Sequence, residues 1–136
     1  MLARTQARLR RHPAPPGATV ELRQGTEAAL RPGETFDIII TFFVLDCFAA
    51  GALPEAIMRL QAAQRPAGRW LVTDFWPAQQ GWRHWLISLM YWFFGQVAGL
   101  RTQHMPPWPT ELAKAGLQTT WEKSFFGGAV AALVLR

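Results

Sequence analysis

The sequence contains few of the residues that build covalent or metal-based sites. Its 136 residues include one cysteine, Cys47, so no internal disulfide can form. The three histidines are scattered, and the sequence has neither a CxxC motif nor a cysteine–histidine cluster that would bind zinc. We therefore expect no metal site. A cytoplasmic location, where thiols stay reduced, is the expectation for such a chain.

Charged residues are also scarce, and the excess is of one sign. Only 17% of the residues are charged and 50% are hydrophobic, so a folded core is expected for most of the chain. The net charge of +5 comes largely from Arg4, Arg8, Arg10 and Arg11 in the first segment. Arginines at helical spacing are typical of a solvated helix face. No aromatic residues are interleaved with them to stack on bases, so we expect no nucleic-acid partner.

The longest apolar stretch, residues 82–100, is too short for a typical membrane span. Its uncharged part covers only residues 85–100, whereas a span needs about 20 apolar residues. Three alternatives stay open: a helix that is buried or covers a substrate, an interfacial membrane helix, and a true span. Peripheral membrane contact, through this stretch and the arginine-rich start, is therefore one candidate interaction.

Two short runs of β-branched and aromatic residues predict the centre of a parallel sheet. They cover residues 36–44 and 69–75, and neither alternates with polar residues, which indicates strands buried on both faces. Between them, a segment beginning near Gly51 and Pro54 carries apolar residues at helical spacing. The two strands and this helix predict a βαβ unit.

The rest of the chain predicts a single α/β domain around this unit. Residues 1–16 form a basic helix and a proline-rich linker, and residues 17–136 form the α/β core. We expect a weak strand at Val20 to Arg23, a short helix around residues 112–115, and a closing antiparallel hairpin of residues 116–122 and 130–135.

This order of segments resembles the carboxyl-terminal two thirds of a class I S-adenosylmethionine-dependent methyltransferase. Residues 20–27 are similar to the family's third strand, Phe36-Asp37-Ile38-Ile39 to its fourth, and Pro66 with residues 68–72 to its fifth. Ala115-Gly116-Leu117 and the closing hairpin match its last strands. The resemblance implies a Rossmann-like methyltransferase sheet, truncated to the third to seventh strands, with an antiparallel C-terminal hairpin.

Two cofactor-binding features of that family have no counterpart here. They are the glycine-rich loop after the first strand and the acidic residue that ends the second strand. The family's aspartate after the third strand, which contacts adenine, corresponds to Thr26. We therefore expect S-adenosylmethionine to bind this chain weakly or not at all. The pattern fits a truncated or degenerate relative of the family.

The resemblance also implies which residues border the cofactor. Gly25 and Thr26 would lie beside adenine, and Thr41, Phe42 and Phe43 would line the cofactor at the end of the fourth strand. Ordinary core packing is the alternative for the two phenylalanines.

Substrate-binding candidates follow the same two strand ends, because ligands of open α/β sheets lie at the carboxyl ends of the strands. These residues are Asp46, Asp74, Phe75 and Trp76. Asp46 binds substrate, acts as a base or caps the next helix, and the alternative for Asp74 is a hydrogen-bonded loop carboxylate. No catalytic residue is named, since methyl transfer needs mainly positioning and desolvation.

The predicted function is that of a methyltransferase, or its C-terminal fragment, acting on a small apolar acceptor. The alternative is a non-enzymatic truncated remnant that binds a partner chain or a membrane surface through residues 82–100. A missing first half would also leave the strand at Ile38 to Ile40 with an exposed edge. Either the Val20 to Arg23 strand pairs there, or a second copy or partner chain covers it.

Overall fold

A four-stranded mixed sheet forms the centre of the protein. In the computed structural model, which describes residues 2–49, 51–77 and 105–136, the strand order is β1-β2-β4-β3. The strands are β1 (Phe36–Phe42), β2 (Gln64–Phe75), β3 (Thr119–Phe125) and β4 (Val130–Leu135), and the helices are α1 (Leu2–Arg11), α2 (Leu53–Ala62) and α3 (Trp108–Lys114). The apolar stretch at residues 82–100 lies outside the described residues, so the three alternatives for it stay open. None of the helices described is long and apolar enough to span a bilayer.

The predicted βαβ unit is confirmed. Strands β1 and β2 are parallel, with Ile39 opposite Trp70 and Thr41 opposite Val72. Helix α2 connects them and begins with Pro54 in its first turn, where the missing N–H of proline is not needed. The main apolar cluster of the core comprises Ile39, Leu45, Leu53, Ile57, Trp70, Val72, Trp108, Leu112, Leu117, Leu133 and Leu135.

Strand β2 begins at Gln64, five residues before the predicted start, and its first residues form a bulge. The register with β1 changes from Phe36 opposite Gln64 to Ile38 opposite Arg69, so the extra residues loop out of the ladder. Gln64 closes this loop, because its Nε2 donates a hydrogen bond to the carbonyl of Gly68 at 2.8 Å.

The predicted closing hairpin is confirmed, with its first strand lying slightly later in the chain. Strands β3 and β4 are antiparallel and are joined through residues 126–128. Strand β4 also pairs with β2, so it lies inside the sheet and buries four residues, whereas every residue of β3 is exposed. The hairpin therefore completes the core with one strand and forms an edge with the other.

Strand β1 is not buried on both faces, and that prediction is wrong. Its side chains alternate: Ile39 and Thr41 are buried, whereas Ile38, Ile40 and Phe42 are 57%, 67% and 63% exposed. In the described part of the chain, the apolar core packs on the face of β1 that carries Ile39, and the other face has no such cover. An uninterrupted apolar run predicts that both faces meet something, but not that the partner lies in the described part of the chain.

The predicted strand at Val20 to Arg23 does not form, so its pairing with β1 is also wrong. This segment has no strand partner, and Arg23 instead donates hydrogen bonds to Glu21 and to Glu34 at 2.6–2.9 Å. A segment without a neighbouring strand gains no ladder hydrogen bonds, whereas these ion pairs anchor it to the turn at residues 31–34. Coverage of the β1 edge by a second copy stays a prediction.

Replacing Gly68 by alanine should destabilise the fold, because there is no room for a side chain inside the bulge. A Cβ atom would lie 2.9 Å from the Arg65 carbonyl and 3.1 Å from that of Asp37. We expect a loss of about 1–3 kcal/mol in the free energy of unfolding, measured by urea denaturation. Gly51→Ala is the matched control, since nothing lies within 4 Å of its added Cβ. Equal stabilities for the two variants would contradict the bulge geometry.

Candidate functional site

The carboxyl ends of β1 and β2 lie side by side and form the candidate site. Phe42 is opposite Thr73, and the N–H of Phe43 donates a hydrogen bond to the Thr73 carbonyl at 2.8 Å. The chain then leaves β1 and enters a short 3₁₀ helix, Leu45–Cys47, directly beside Asp74. Most of the residues predicted for substrate and cofactor therefore meet at one end of the sheet.

Asp74 is fully buried and holds the turn that follows β1. Its Oδ2 accepts hydrogen bonds from three successive backbone N–H groups, those of Val44 (3.2 Å), Leu45 (2.8 Å) and Asp46 (3.4 Å). Its Oδ1 accepts a fourth, from Phe75 at 2.8 Å. The 3₁₀ helix has no capping side chain at Val44, so Asp74 provides its N-terminal acceptor from the neighbouring strand. Asp74 makes these bonds from strand β2 and not from a loop, and substrate binding by Asp74 stays a prediction.

Burial makes the charge on this carboxylate costly. Burial, followed by the nearby charge of Asp46, raises the pKa of Asp74 to about 7, against the opposing effect of the backbone N–H groups of Phe75, Leu45 and Asp46. Asp74 therefore changes its protonation state near neutral pH, which few carboxyl groups do.

Asp46 is buried beside Asp74 and does not cap α2. Its Oδ1 accepts a hydrogen bond from the thiol of Cys47 at 3.3 Å, and α2 has Ala52 at its N-cap position with no side-chain cap. Partial burial, followed by the charge of Asp46, raises the pKa of the Cys47 thiol to about 12. The thiol is therefore protonated at neutral pH and is a poor nucleophile. In the described part of the chain, no three His, Cys, Asp or Glu side chains come together to hold a metal ion.

The hydroxyl of Thr41 is used inside the core. Its Oγ1 accepts a hydrogen bond from Trp70 Nε1 at 3.0 Å, and both residues are buried. Trp70 was not predicted to contact a site residue, because its bond to Thr41 depends on the pairing of β1 with β2. The Thr41 backbone still lies on the strand that leads into the site.

Three aromatic rings form a cluster at this end of the sheet. The rings of Phe42 and Phe43 meet edge to face at a centroid distance of 4.7 Å, and those of Phe43 and Phe75 lie 4.9 Å apart. We call Phe42, Phe43 and Phe75 the aromatic cluster. Phe42 is its most exposed member, so the cluster offers an apolar surface for a ligand.

Gly25 and Thr26 lie on the segment that leads into the 3₁₀ helix Glu27–Ala29. Thr26 Oγ1 accepts a hydrogen bond from the N–H of Ala28 at 3.3 Å and caps the 3₁₀ helix Glu27–Ala29, which packs against α2. A Cβ on Gly25 would lie 2.7 Å from the Cβ of Ala29, so glycine is needed for this close approach. Among the residues described, no hydrogen bond joins this pair to the turn after β1.

Trp76 packs away from the aromatic cluster. Its ring meets that of Trp108 edge to face at a centroid distance of 5.6 Å, and its backbone N–H donates a hydrogen bond to the Ala129 carbonyl at 2.9 Å. It also lines a cavity of about 70 Å³ between α3 and the hairpin, too small for an organic substrate. Trp108, which sequence analysis did not single out, donates from Nε1 to the Phe75 carbonyl at 2.8 Å and so connects α3 to the end of β2.

Comparison with known proteins identifies the fold. No protein-family model and no curated protein matches the chain. Among solved structures, it is similar to LepI in complex with SAM (19% identity, TM-score 0.67, covering 98% of this chain and 33% of that one). It is also similar to the mitomycin 7-O-methyltransferase MmcR (17% identity, TM-score 0.62, covering 82% of this chain and 32% of that one). A third similar structure is human N-acetylserotonin methyltransferase in complex with SAM (21% identity, TM-score 0.60, covering 84% of this chain and 32% of that one).

The chain therefore has the class I methyltransferase fold, as its segment order led us to expect. It spans about a third of the length of these structures. The fold describes the scaffold, and chemistry has to be argued from the residues at the strand ends.

The raised pKa of Asp74 predicts a pH-dependent stability. Because folding raises this pKa from 3.8 to about 7, the folded state holds the proton more tightly, and the free energy of unfolding should fall as pH rises between these values. Asp74→Asn removes the titrating group, so its urea denaturation midpoint should lack this component. Arg23 lowers the pKa values of Glu21 and Glu34, so the titration of these two groups makes the free energy of unfolding rise with pH, opposite to the effect of Asp74. Parallel pH profiles for wild type and Asp74→Asn would contradict the assignment.

Proposed function

We propose that the chain is an S-adenosylmethionine-dependent methyltransferase, or its carboxyl-terminal fragment, that acts on a small, apolar acceptor. The observation that carries this proposal is the match of 98% of the chain to a structure in complex with SAM. The chemistry at the strand ends supports it, because the end of β1 offers apolar rings beside a hydrogen-bonded turn.

The residues at the end of β1 fit the apolar parts of the cofactor. Phe42, with a ring 63% exposed, and Phe43 beside it would contact it there, and Gly25 and Thr26 would lie on its adenine side by resemblance to the family. Bound S-adenosylmethionine would supply an activated methyl group. The part of the chain described here has no glycine-rich loop at this end of the sheet, so we expect weak binding.

The chain's own contribution is to orient the ligands and to exclude water from them. The Asp74 carboxylate holds the turn by accepting hydrogen bonds from the N–H groups of residues 44–46, and the aromatic cluster forms an apolar wall beside it. Positioning and desolvation of this kind are the main demands of methyl transfer. The neighbours named for mitomycin and for N-acetylserotonin act on small molecules, which supports an acceptor of that size.

Isothermal titration with S-adenosylmethionine tests this function. We expect weak but measurable binding to the wild type, and we expect Phe42→Ala to lower the affinity about 2- to 13-fold, since aromatic ring contacts contribute about 0.5–1.5 kcal/mol. Phe126→Ala is the matched control: it removes a ring that is 80% exposed at the hairpin turn, away from the site. If the wild type releases no heat, or if the two variants behave alike, the proposed cofactor site is wrong.

A second candidate function is favoured by the open side of β1. This strand lies at the sheet edge and exposes Ile38, Ile40 and Phe42 on one face, an apolar surface that proteins seldom leave uncovered. We propose that a second copy of the chain covers it. The alternative contact through residues 82–100, with a partner chain or a membrane, concerns residues outside those described and stays a prediction.

Self-association can be tested by placing a charge on this face. In sedimentation velocity we expect the wild type to be a dimer and Ile40→Lys to be a monomer, because a lysine buried in the interface without a partner is strongly unfavourable. Met58→Lys on α2 is the control, since Met58 is also apolar and is 58% exposed. A wild type that remains monomeric at high micromolar concentration would rule out this second function.

A further inference from the structure

Phe43 has a backbone conformation that phenylalanine rarely adopts. Its φ is 51°, in the left-handed region that glycine occupies easily and a residue with a Cβ atom does not. Phe126, with a φ of 52°, is the other non-glycine residue with positive φ among those described, and it lies in the hairpin turn. The strain at Phe43, in contrast, lies where two parallel strands end.

Several contacts hold Phe43 in this conformation. Its N–H is hydrogen-bonded to Thr73, and the next three N–H groups are bonded to the buried carboxylate of Asp74. Its ring is held between those of Phe42 and Phe75. The surrounding structure thus determines the turn more fully than the residue's own preference does.

A glycine would make the same turn without strain, so the backbone does not require a ring at this position. The ring of Phe43 is half-buried and is the member that contacts both of the others in the aromatic cluster. Strained residues of this kind are concentrated at ligand sites, where a fixed side chain matters more than local stability.

We propose that Phe43 determines the shape of the ligand site at the end of β1 and that Asp74 is the positioning residue that keeps it there. The inference rests on the proposed function for its ligand, S-adenosylmethionine. Asp74 acts through the turn: without its carboxylate, the N–H groups of residues 44–46 lose their acceptor, and the left-handed turn at Phe43 loses its anchor.

The first experiment compares Phe43→Gly with Phe43→Ala. Both remove the ring, but only alanine keeps a Cβ in the left-handed conformation. We expect the unfolding equilibrium constant of Phe43→Gly to be at least fivefold smaller than that of Phe43→Ala. We expect both variants to bind S-adenosylmethionine at least tenfold more weakly than wild type. Equal stability would remove the claim of strain, and unchanged binding by both variants would remove the role of the ring.

The second experiment compares Asp74→Ala, Asp74→Asn and Asp37→Asn. Amide hydrogen exchange at residues 44–46 should be at least tenfold faster in Asp74→Ala, with a similar loss of S-adenosylmethionine affinity. Asp74→Asn should recover part of both, because its side-chain oxygen still accepts from the turn while its amide nitrogen faces the N–H of Phe75. Asp37→Asn, which breaks an exposed ion pair with Arg65, should change neither. An Asp74→Ala variant that exchanges and binds like Asp37→Asn would overturn the positioning role.

A third measurement separates this inference from the proposed function. If the wild type fails to bind S-adenosylmethionine, the methyltransferase proposal fails, and titration with indole as a planar apolar probe decides the inference. Shifts in the NMR amide signals of residues 42–46 that are present in wild type and absent in Phe43→Ala would support a ligand site shaped by the ring. No shifts in the wild type would overturn it.

Discussion

The buried carboxylate of Asp74 is the interaction on which the ligand end of this protein depends. It lies at the end of β2 and accepts hydrogen bonds from three N–H groups of the turn that follows β1. One side chain thereby fixes the relative geometry of two parallel strand ends. The cost is a charge in a buried position, and burial together with the charge of Asp46 raises the pKa of Asp74 to about 7. A neutral side chain in place of the ionised carboxylate would hold the turn less firmly, because hydrogen bonds to a charged acceptor are stronger than those to a neutral one.

Around this anchor the chain divides into a complete side and an open side. Strand β4 pairs on both of its edges and buries Val130, Ala131, Leu133 and Leu135, and α2 and α3 supply apolar residues to the same core. Among the residues described, strand β1 pairs with β2 alone and has one exposed apolar face. The structural neighbours are about three times as long, and the described part of this chain contributes four strands of their fold. The candidate site therefore lies at the junction between a packed half-sheet and an exposed edge.

Much of the fold could be predicted from the residue pattern, and the failures have identifiable causes. Periodicity and turn residues correctly predicted β1, α2, β2 and the hairpin, because these depend on local preference and on alternation of apolar residues. The strand at Val20 to Arg23 failed since its charged residues found ion-pair partners at residues 31–34, a long-range choice that no local pattern reports. The prediction that β1 is buried on both faces failed for a related reason, because an apolar run does not indicate which part of the protein packs against it.

The sequence by itself determined that two apolar strands with a helix between them would end in aspartates and aromatic residues, because buried strands and loop chemistry leave local signatures. It also determined that no disulfide could stabilise the fold, since only Cys47 is present. Only the tertiary structure decided what those residues do. Asp74 became an acceptor for the neighbouring turn, Thr41 a partner of Trp70, and Phe43 a strained member of the aromatic cluster. Each role depends on a group about 30 residues away in the chain, and such pairs come together only when the parallel strands align.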